Sequence, residues 1–283
     1  MFRFDSLVRF MFTVAILGPV EFCHGQNGTA EELFNSAETA YSAGKIDRAI
    51  ELYSQALALD STYYSAYVSR GICYYDKDEF VLAIADQQRA IALVPDRWLA
   101  YMNRGNAMSR AGRFEEALTD QRKAAALRGV MTDTLLYNMA NSFLRLGSLD
   151  SAVLYYDRTL VQSPGLVHAK ANRAFALSEL GRYEEAAVTY RELSASEPTH
   201  SPYLSNLAYV ELMSGQLDSA AIHIDKAIRI DPDNAWAYRN RGLLRLASND
   251  VKGACEDYKL ALQLGFIRKW GIAALSTLQQ RCR

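Results

Sequence analysis

The residues of this chain that could carry chemistry are few and scattered. His168, His200 and His223 lie in three different sequence contexts, with no metal-ligand spacing to one another or to a cysteine. The adjacent carboxylates of Glu115 and Glu116 begin a predicted helix, where negative charge suits the helix dipole. The sequence contains no glycine-rich phosphate loop and no nucleophile elbow. It therefore predicts no catalytic residue, no metal site and no cofactor.

The polar residue that does recur is asparagine. It returns at intervals of 34 or 35 residues, with one serine in the series: Asn35, Ser69, Asn103, Asn138, Asn172, Asn206 and Asn240. Asparagine is a mediocre helix former, so its recurrence in the middle of predicted helices needs a reason other than propensity. Its amide has both donors and an acceptor and can bond the N–H and C=O of a peptide together. The pattern therefore indicates a row of side chains that could bind extended polypeptide.

A repeat of the same length positions these asparagines. An alanine returns at intervals of 34, 34, 35, 34, 34 and 34 residues, at Ala49, Ala83, Ala117, Ala152, Ala186, Ala220 and Ala254. A small residue lies twelve positions before each alanine, and a proline lies twelve positions after four of them. Glycine, aspartate or asparagine lies five positions before each alanine, where a tight turn is expected. Each repeat is thus predicted to be a helix, a tight turn and a second helix, and four of the repeats end at a proline.

This pattern resembles the tetratricopeptide repeat, which has the same length and the same small, glycine, alanine and proline positions. The resemblance implies an all-α fold, a right-handed α-solenoid of seven helix-turn-helix hairpins followed by a C-terminal capping helix. The predicted repeats are 30–63, 64–97, 98–132, 133–166, 167–200, 201–234 and 235–268. Residues 269–283 are predicted to form the capping helix and tail, which leaves no room for a catalytic domain.

In this family the asparagine position lines the concave surface, and the arrangement resembles the asparagine ladder in the repeat region of O-GlcNAc transferase, which holds extended polypeptide. That enzyme's catalytic domain has no counterpart here. Residues three or four positions away share the same helix face. The resemblance therefore implies a peptide-binding groove formed by Asn103, Asn106, Asn138, Asn141, Asn172, Asn206, Trp236 and Asn240. An equally weighted alternative is that each asparagine simply bonds a neighbouring helix.

Comparison of the repeats with one another reveals a covariation. Arg70, Arg104 and Arg241 each precede a glycine, and only their repeats contain an aspartate at the matching position of the second helix: Asp86, Asp120 and Asp257. Where this aspartate is missing, the small residue of the first helix is alanine. The covariation predicts structural ion pairs between the two helices of one hairpin, with glycine permitting their close approach.

The last predicted repeat resembles the final unit of many exported bacterial repeat proteins, in which a cysteine of the hairpin is followed by a helix that ends in cysteine. The resemblance implies a disulfide between Cys255 and Cys282. Two free thiols are the alternative. Cys73 lies within an apolar first helix and is predicted to be a buried thiol.

The N-terminus differs in character from the repeats. Arg3 and Arg9 precede the short apolar stretch Phe10–Val20, which predicts a signal peptide at 1–25 rather than a membrane span. Cleavage is expected between Gly25 and Gln26, with export to the periplasm or secretion. Lipoprotein processing at Cys23 is the weaker alternative, because the two residues before it, Glu21 and Phe22, do not fit a lipobox.

Composition narrows the class of partner. The chain has 283 residues, 50% hydrophobic, and a formal net charge of -1. A near-neutral chain has no bulk attraction for phosphate backbones, so a nucleic-acid partner is not expected. The sequence thus predicts a non-catalytic scaffold for a protein or peptide partner, which binds an extended peptide or a partner helix in its concave groove. The alternative is a structural or assembly component of a cell-envelope complex that uses its convex face.

Overall fold

The computed structural model describes residues 28–266 and 276–282, and the chain folds there into helices. Their bounds are α1 Gly28–Ser42, α2 Ile46–Leu59, α3 Tyr64–Asp76, α4 Phe80–Leu93, α5 Trp98–Arg110, α6 Phe114–Arg128, α7 Asp133–Arg145, α8 Leu149–Gln162, α9 Val167–Glu179, α10 Tyr183–Ser196, α11 Ser201–Met213, α12 Leu217–Ile230, α13 Ala235–Ala247, α14 Val251–Gln263 and α15 Ser276–Arg281. Helices α1 to α14 pair into seven successive hairpins, which confirms the predicted all-α repeat fold. The predicted signal peptide and part of the predicted cap lie outside the described residues.

Packing divides the described chain into two compact units. The N-terminal unit contains α1 to α8, or four hairpins, and ends at Gly165. The C-terminal unit begins at Leu166 and contains three hairpins followed by α15, which packs on α13 and α14. None of the helices in the described ranges is both long and apolar enough to cross a membrane.

The turn inside each hairpin has one residue in the left-handed region of backbone space. Five of the seven are glycines with φ between 73° and 82°: Gly44, Gly112, Gly147, Gly181 and Gly215. The other two are Asp78 and Asn249, both with φ of 61°. Glycine adopts this region without steric cost, and asparagine and aspartate tolerate it better than other residues. The residue types at this position are therefore those that the backbone requires.

The core of each hairpin forms where its helices cross. All seven repeated alanines are buried, with at most 1% of their surface exposed. Tyr53, Tyr156 and Tyr190, each four residues after one of these alanines, are fully buried. Buried tyrosines need a partner for the hydroxyl, and Tyr53 donates to the carboxylate of Glu38. The small alanine and the large tyrosine together let the two helices approach and fill the space beside them.

Candidate peptide-binding surface

The recurring asparagines all lie on the first helix of a hairpin, and in each unit the surface that carries them is called the first-helix face below. In the N-terminal unit the face links neighbouring hairpins. Nδ2 of Asn138 on α7 donates to Oδ1 of Asn106 on α5 at 2.8 Å, and both side chains are partly exposed. The two amides therefore support each other and still border solvent.

Two other asparagines of this unit are buried, contrary to the prediction that they line an open groove. Asn141 is 8% exposed, and its Oδ1 accepts a hydrogen bond from the hydroxyl of Tyr156 at 2.6 Å. Asn103 is also buried, and its Nδ2 has no hydrogen-bond acceptor among the described residues. For Asn141 the alternative of a bond to the neighbouring helix holds, because Tyr156 lies on α8, the second helix of the same hairpin.

The asparagines of the C-terminal unit are likewise divided into buried and partly exposed side chains. Asn240 on α13 is fully buried, its Nδ2 donates to the carbonyl oxygen of Ser205 on α11 at 2.8 Å, and its Oδ1 accepts from Arg239 at 3.0 Å. Its assignment to an open binding groove is therefore wrong, and for this residue the alternative of a bond to the neighbouring helix holds. Asn172 and Asn206 remain partly exposed.

The amide of Asn206 can serve a ligand without losing a hydrogen bond from its nitrogen. Its Nδ2 is turned away from solvent and has no acceptor among the described residues. Rotation of the amide exchanges the places of its oxygen and nitrogen, so either can be presented at the exposed edge. A ligand that accepts this hydrogen bond would satisfy a donor that the fold leaves unsatisfied.

An aromatic cluster adjoins Asn206 on the same face. The guanidinium of Arg239 lies 4.7 Å from the ring centre of Tyr209 and 4.8 Å from that of Trp236. Trp236 also contacts Tyr209 edge to face at 5.9 Å and stacks parallel to Phe266 at 5.4 Å. Burial lowers the pKa of Arg239, and the neighbouring Tyr209 opposes this effect. The result is a cation held between aromatic rings.

Only part of this cluster could be read from the sequence. Trp236 was predicted as a groove residue, and it lies three positions before Arg239 on α13, so helical spacing places both on one face. Phe266 was not predicted. It lies after the last hairpin, where no repeat position indicates its role, and only the fold brings it against Trp236.

The predicted ion pairs all lie within single hairpins. Nε and Nη2 of Arg70 contact the two carboxylate oxygens of Asp86 at 2.8 and 2.7 Å, and Arg104 contacts Asp120 in the same way at 2.7 and 2.8 Å. Arg241 contacts Asp257 at 2.7 Å, and Asp257 also accepts from Arg245 at 2.9 Å. Two-pronged contacts of this kind are the strong form of the arginine–carboxylate pair.

Glycine is required beside these pairs because of the helix spacing. A methyl group on Gly105 would lie 3.2 Å from the carbonyl oxygen of Ala117 and 3.3 Å from Cβ of Asp120. One on Gly242 would lie 3.1 Å from the side chain of Leu278 on α15. The contacts at Gly105 show how closely the two helices approach beside the Arg104–Asp120 pair, and the contact at Gly242 shows that α15 packs against the same small position of the last hairpin.

The two C-terminal cysteines are joined. Cys255 on α14 and Cys282, directly after α15, form a disulfide with Cα atoms 5.4 Å apart. The bond fastens α15 to the last hairpin, where Leu278 is fully buried. Cys73 is a buried thiol, and burial raises its pKa to about 12.

One of the three histidines considered for chemistry, His223, has a structural partner. Nδ1 of His223 lies 2.7 Å from a carboxylate oxygen of Glu211, which ties α12 to α11. Among the described residues there is no group of three histidine, cysteine, aspartate or glutamate side chains that could hold a metal ion.

Comparisons with known proteins agree with this architecture. The chain is 36% identical over 89 residues to the inactive TPR repeat-containing thioredoxin TTL3 of Arabidopsis thaliana, which is 31% of this chain and 13% of that protein. It is 29% identical over 139 residues to tetratricopeptide repeat protein 13 of Homo sapiens, which is 47% of this chain and 16% of that protein. The chain therefore spans less than a fifth of the length of either relative.

Solved structures show the same fold. A tetratricopeptide repeat protein from Parabacteroides merdae superimposes with a TM-score of 0.68 at 19% identity, over 90% of this chain and 99% of that one. YrrB, a TPR protein described as having an unusual peptide-binding site, gives 0.57 at 21% identity, over 65% of this chain and 95% of that one.

The family model described as tetratricopeptide repeat matches residues 34–97, 103–167, 137–196 and 171–235. Together these matches cover more than half of the chain and fall on helices that pair into hairpins. The chain therefore belongs to the tetratricopeptide repeat family.

Proposed function

We propose that this protein is a non-catalytic interaction scaffold that binds an extended peptide or a partner helix on its first-helix face. Tetratricopeptide repeats support protein–protein interaction as the general role. The descriptions of proteins that share sequence or fold with the chain are consistent with this role. YrrB is described as having a peptide-binding site, and sgt12 of Aspergillus fumigatus, 33% identical over 95 residues, is a heat-shock cognate co-chaperone.

The observation that carries the proposal is the position of Asn206 beside the cluster of Tyr209, Trp236 and Arg239. The amide offers a donor without an acceptor among the described residues, and it lies one helical turn before Tyr209 on α11. The cluster combines two aromatic rings with a guanidinium, and these residue types dominate the energetics of protein interfaces. The amide would bond the peptide backbone, while the half-buried rings of Tyr209 and Trp236, which the buried Arg239 supports from inside the fold, would contact its side chains.

The proposal includes export. The predicted signal peptide at 1–25 lies outside the described residues, and the Cys255–Cys282 disulfide supports an oxidising compartment. N-terminal sequencing of the protein from its native cells tests this. We expect a first residue of Gln26. A chain that retains residues 1–25 would contradict the proposal, and one that begins at a lipidated Cys23 would replace it with membrane anchoring.

Simultaneous replacement of Asn138, Asn172 and Asn206 by alanine tests the binding face. Wild type and variant are used as bait in envelope extract, and captured proteins are compared by mass spectrometry, with far-ultraviolet circular dichroism to check folding. Asn35→Ala is the matched control, because Asn35 occupies the same repeat position on α1 and is exposed.

We expect the triple variant to lose the proteins that wild type and Asn35→Ala both capture, with its helicity unchanged. Undiminished capture by the folded triple variant would contradict binding on this face. It would favour instead an assembly role in a cell-envelope complex through the side formed by the second helices.

A further inference from the structure

The third hairpin departs from the regular repeat. The interval from Ala117 to Ala152 is 35 residues rather than 34, and α6 has 15 residues where α2, α4, α8, α10 and α12 have 14. The longer helix ends at Gly129 in the left-handed conformation, with φ of 72°. The chain then reaches α7 through Val130, Met131 and Thr132, so the connection carries apolar residues where four other repeats have a proline.

An open pocket of about 510 Å³ lies at this irregular connection. Its lining comes from α6, from the connection, from α7 and from α8: Arg122, Ala125, Ala126, Gly129, Val130, Met131, Met139 and Tyr155. Met139 is fully buried, whereas Val130 is 58% exposed. Methionine side chains adapt to the shape of a partner, and a tyrosine ring offers a large contact area. The pocket is therefore suited to a bulky apolar side chain.

Positive charge borders the pocket. Arg122 lines it, with its guanidinium 6.0 Å from the ring centre of Phe143, and Arg158 lies 5.4 Å from the ring centre of the pocket residue Tyr155. Both arginines are exposed, and neither forms an ion pair with a carboxylate in the described part of the chain. Two exposed arginines beside an apolar pocket favour a partner that carries negative charge next to its apolar group.

We propose that this pocket is a second docking site, which takes a protein segment containing a bulky apolar side chain flanked by carboxylates. The apolar side chain enters between α6 and α8 and contacts Met131 and Tyr155, above the buried Met139, and the carboxylates pair with Arg122 and Arg158. The site's arginines and Tyr155 lie on the second helices α6 and α8, and none of its lining residues is an asparagine of the first-helix face. It would therefore bind its partner independently of the proposed peptide-binding surface.

A synthetic probe tests the chemistry directly. The probe is a short fluorescein-labelled peptide with one central phenylalanine and glutamates on both sides, and binding to the full chain is followed by fluorescence anisotropy. One control peptide has serine in place of the phenylalanine, and another has lysines in place of the glutamates. We expect the first control to bind at least about tenfold more weakly and the second not to bind, because it reverses the charge.

Two substitutions locate the site. Arg122→Glu reverses the charge at the pocket, and Ala126→Trp fills it from an exposed position on α6. Lys123→Glu is the matched control, since it makes the same charge change at the next residue, which is exposed and does not line the pocket. We expect Arg122→Glu and Ala126→Trp to weaken binding of the probe by about tenfold or more. Lys123→Glu should weaken it by less than about threefold.

Methyl labelling of methionine gives a second readout by NMR. The ε-methyl resonances of Met131 and Met139 should shift on addition of the probe, while that of Met213 on α11, outside the pocket, should not. The proposal is overturned if the probe does not bind, or if Arg122→Glu and Lys123→Glu weaken its binding equally. It is also overturned if the methyl resonances of Met131 and Met139 do not shift. None of these outcomes bears on the Asn138, Asn172 and Asn206 test of the first-helix face.

Discussion

Arg104 on α5 and Asp120 on α6 meet through two hydrogen bonds of 2.7 and 2.8 Å, and both side chains are largely buried, 15% and 7% exposed. The pair joins the two helices of one hairpin. The cation of Arg104 also lies 5.6 Å from the ring centre of Tyr101 on its own helix. The arginine is thus used inside the hairpin and is not available to an acidic partner.

The first prediction concerns this pair. Asp120→Asn should lower the free energy of unfolding by about 3 kcal/mol, because it leaves a largely buried guanidinium without its counter-charge. Urea denaturation measures the change. Replacing both members by apolar residues, Arg104→Met with Asp120→Leu, should recover most of the loss. An Asp120→Asn variant as stable as wild type would show that the ion pair does not stabilise the hairpin.

The second prediction separates two asparagines that share one repeat position. Asn240→Ala should lower the free energy of unfolding by about 1 to 3 kcal/mol, because the buried Ser205 carbonyl loses its donor. Asn206→Ala should change it by less than about 0.5 kcal/mol, since no described group accepts a hydrogen bond from its Nδ2. Thermal or urea unfolding of the two variants, measured in parallel, gives both losses. A larger loss for Asn206→Ala than for Asn240→Ala would contradict the assignment.

The third prediction concerns the disulfide. In the chain without residues 1–25, thiol labelling under denaturing conditions should find one thiol before reduction and three after it. In the native state Cys73 should not react at pH 8, because it is 1% exposed and burial raises its pKa to about 12. Cys282→Ser should lower stability by about 3 kcal/mol on the chain-entropy model. Three reactive thiols before reduction would exclude the bond.

The fourth prediction is a dependence on pH. Asp133 at the start of α7 accepts a hydrogen bond from Ser163 at 2.5 Å and from the backbone of Thr134 at 2.7 Å, and the Ser163 bond is the main reason its pKa is lowered. A lowered folded-state pKa stabilises the fold above the unfolded-state pKa of about 4, and this contribution is lost as pH falls through the folded-state value.

Ser163→Ala should therefore lower stability by about 1 kcal/mol at neutral pH, and the difference from wild type should shrink as the pH is lowered below about 4. Urea midpoints at several pH values provide the measurement. Ser194→Ala is the control, because Ser194 is partly exposed and its hydroxyl donates to the main-chain carbonyl of Arg191 rather than to a carboxylate. A difference from wild type that is constant with pH would contradict the link to Asp133.

The period of the sequence predicted the hairpins because each feature of the repeat answers a local physical requirement. Glycine, Asp78 and Asn249 occur where φ is positive, and Gly105 occurs where a methyl group would crowd Ala117. The Arg104–Asp120 pair was predictable from the comparison of repeats, since the aspartate and the glycine occur in the same three repeats, each with an arginine before the glycine.

The division of the asparagines could not be predicted in this way. Asn206 and Asn240 are the same residue at the same position, and they differ in what the neighbouring helix offers. Asn240 bonds a main-chain carbonyl, which every residue type has, so no sequence signal marks its partner. The pocket beside Met139 depends likewise on how one inserted residue is accommodated, and a count of residues shows the insertion but not the space it creates.

Site-specific photo-crosslinking tests the central claim that partners bind the first-helix face. A benzoylphenylalanine is placed in native cells at Tyr209, beside Asn206 and Trp236, or at Ile222, which is 67% exposed on the second helix α12. Binding on the first-helix face predicts a cross-linked partner from position 209 and none from position 222. A partner captured at 222 and absent at 209 would contradict it.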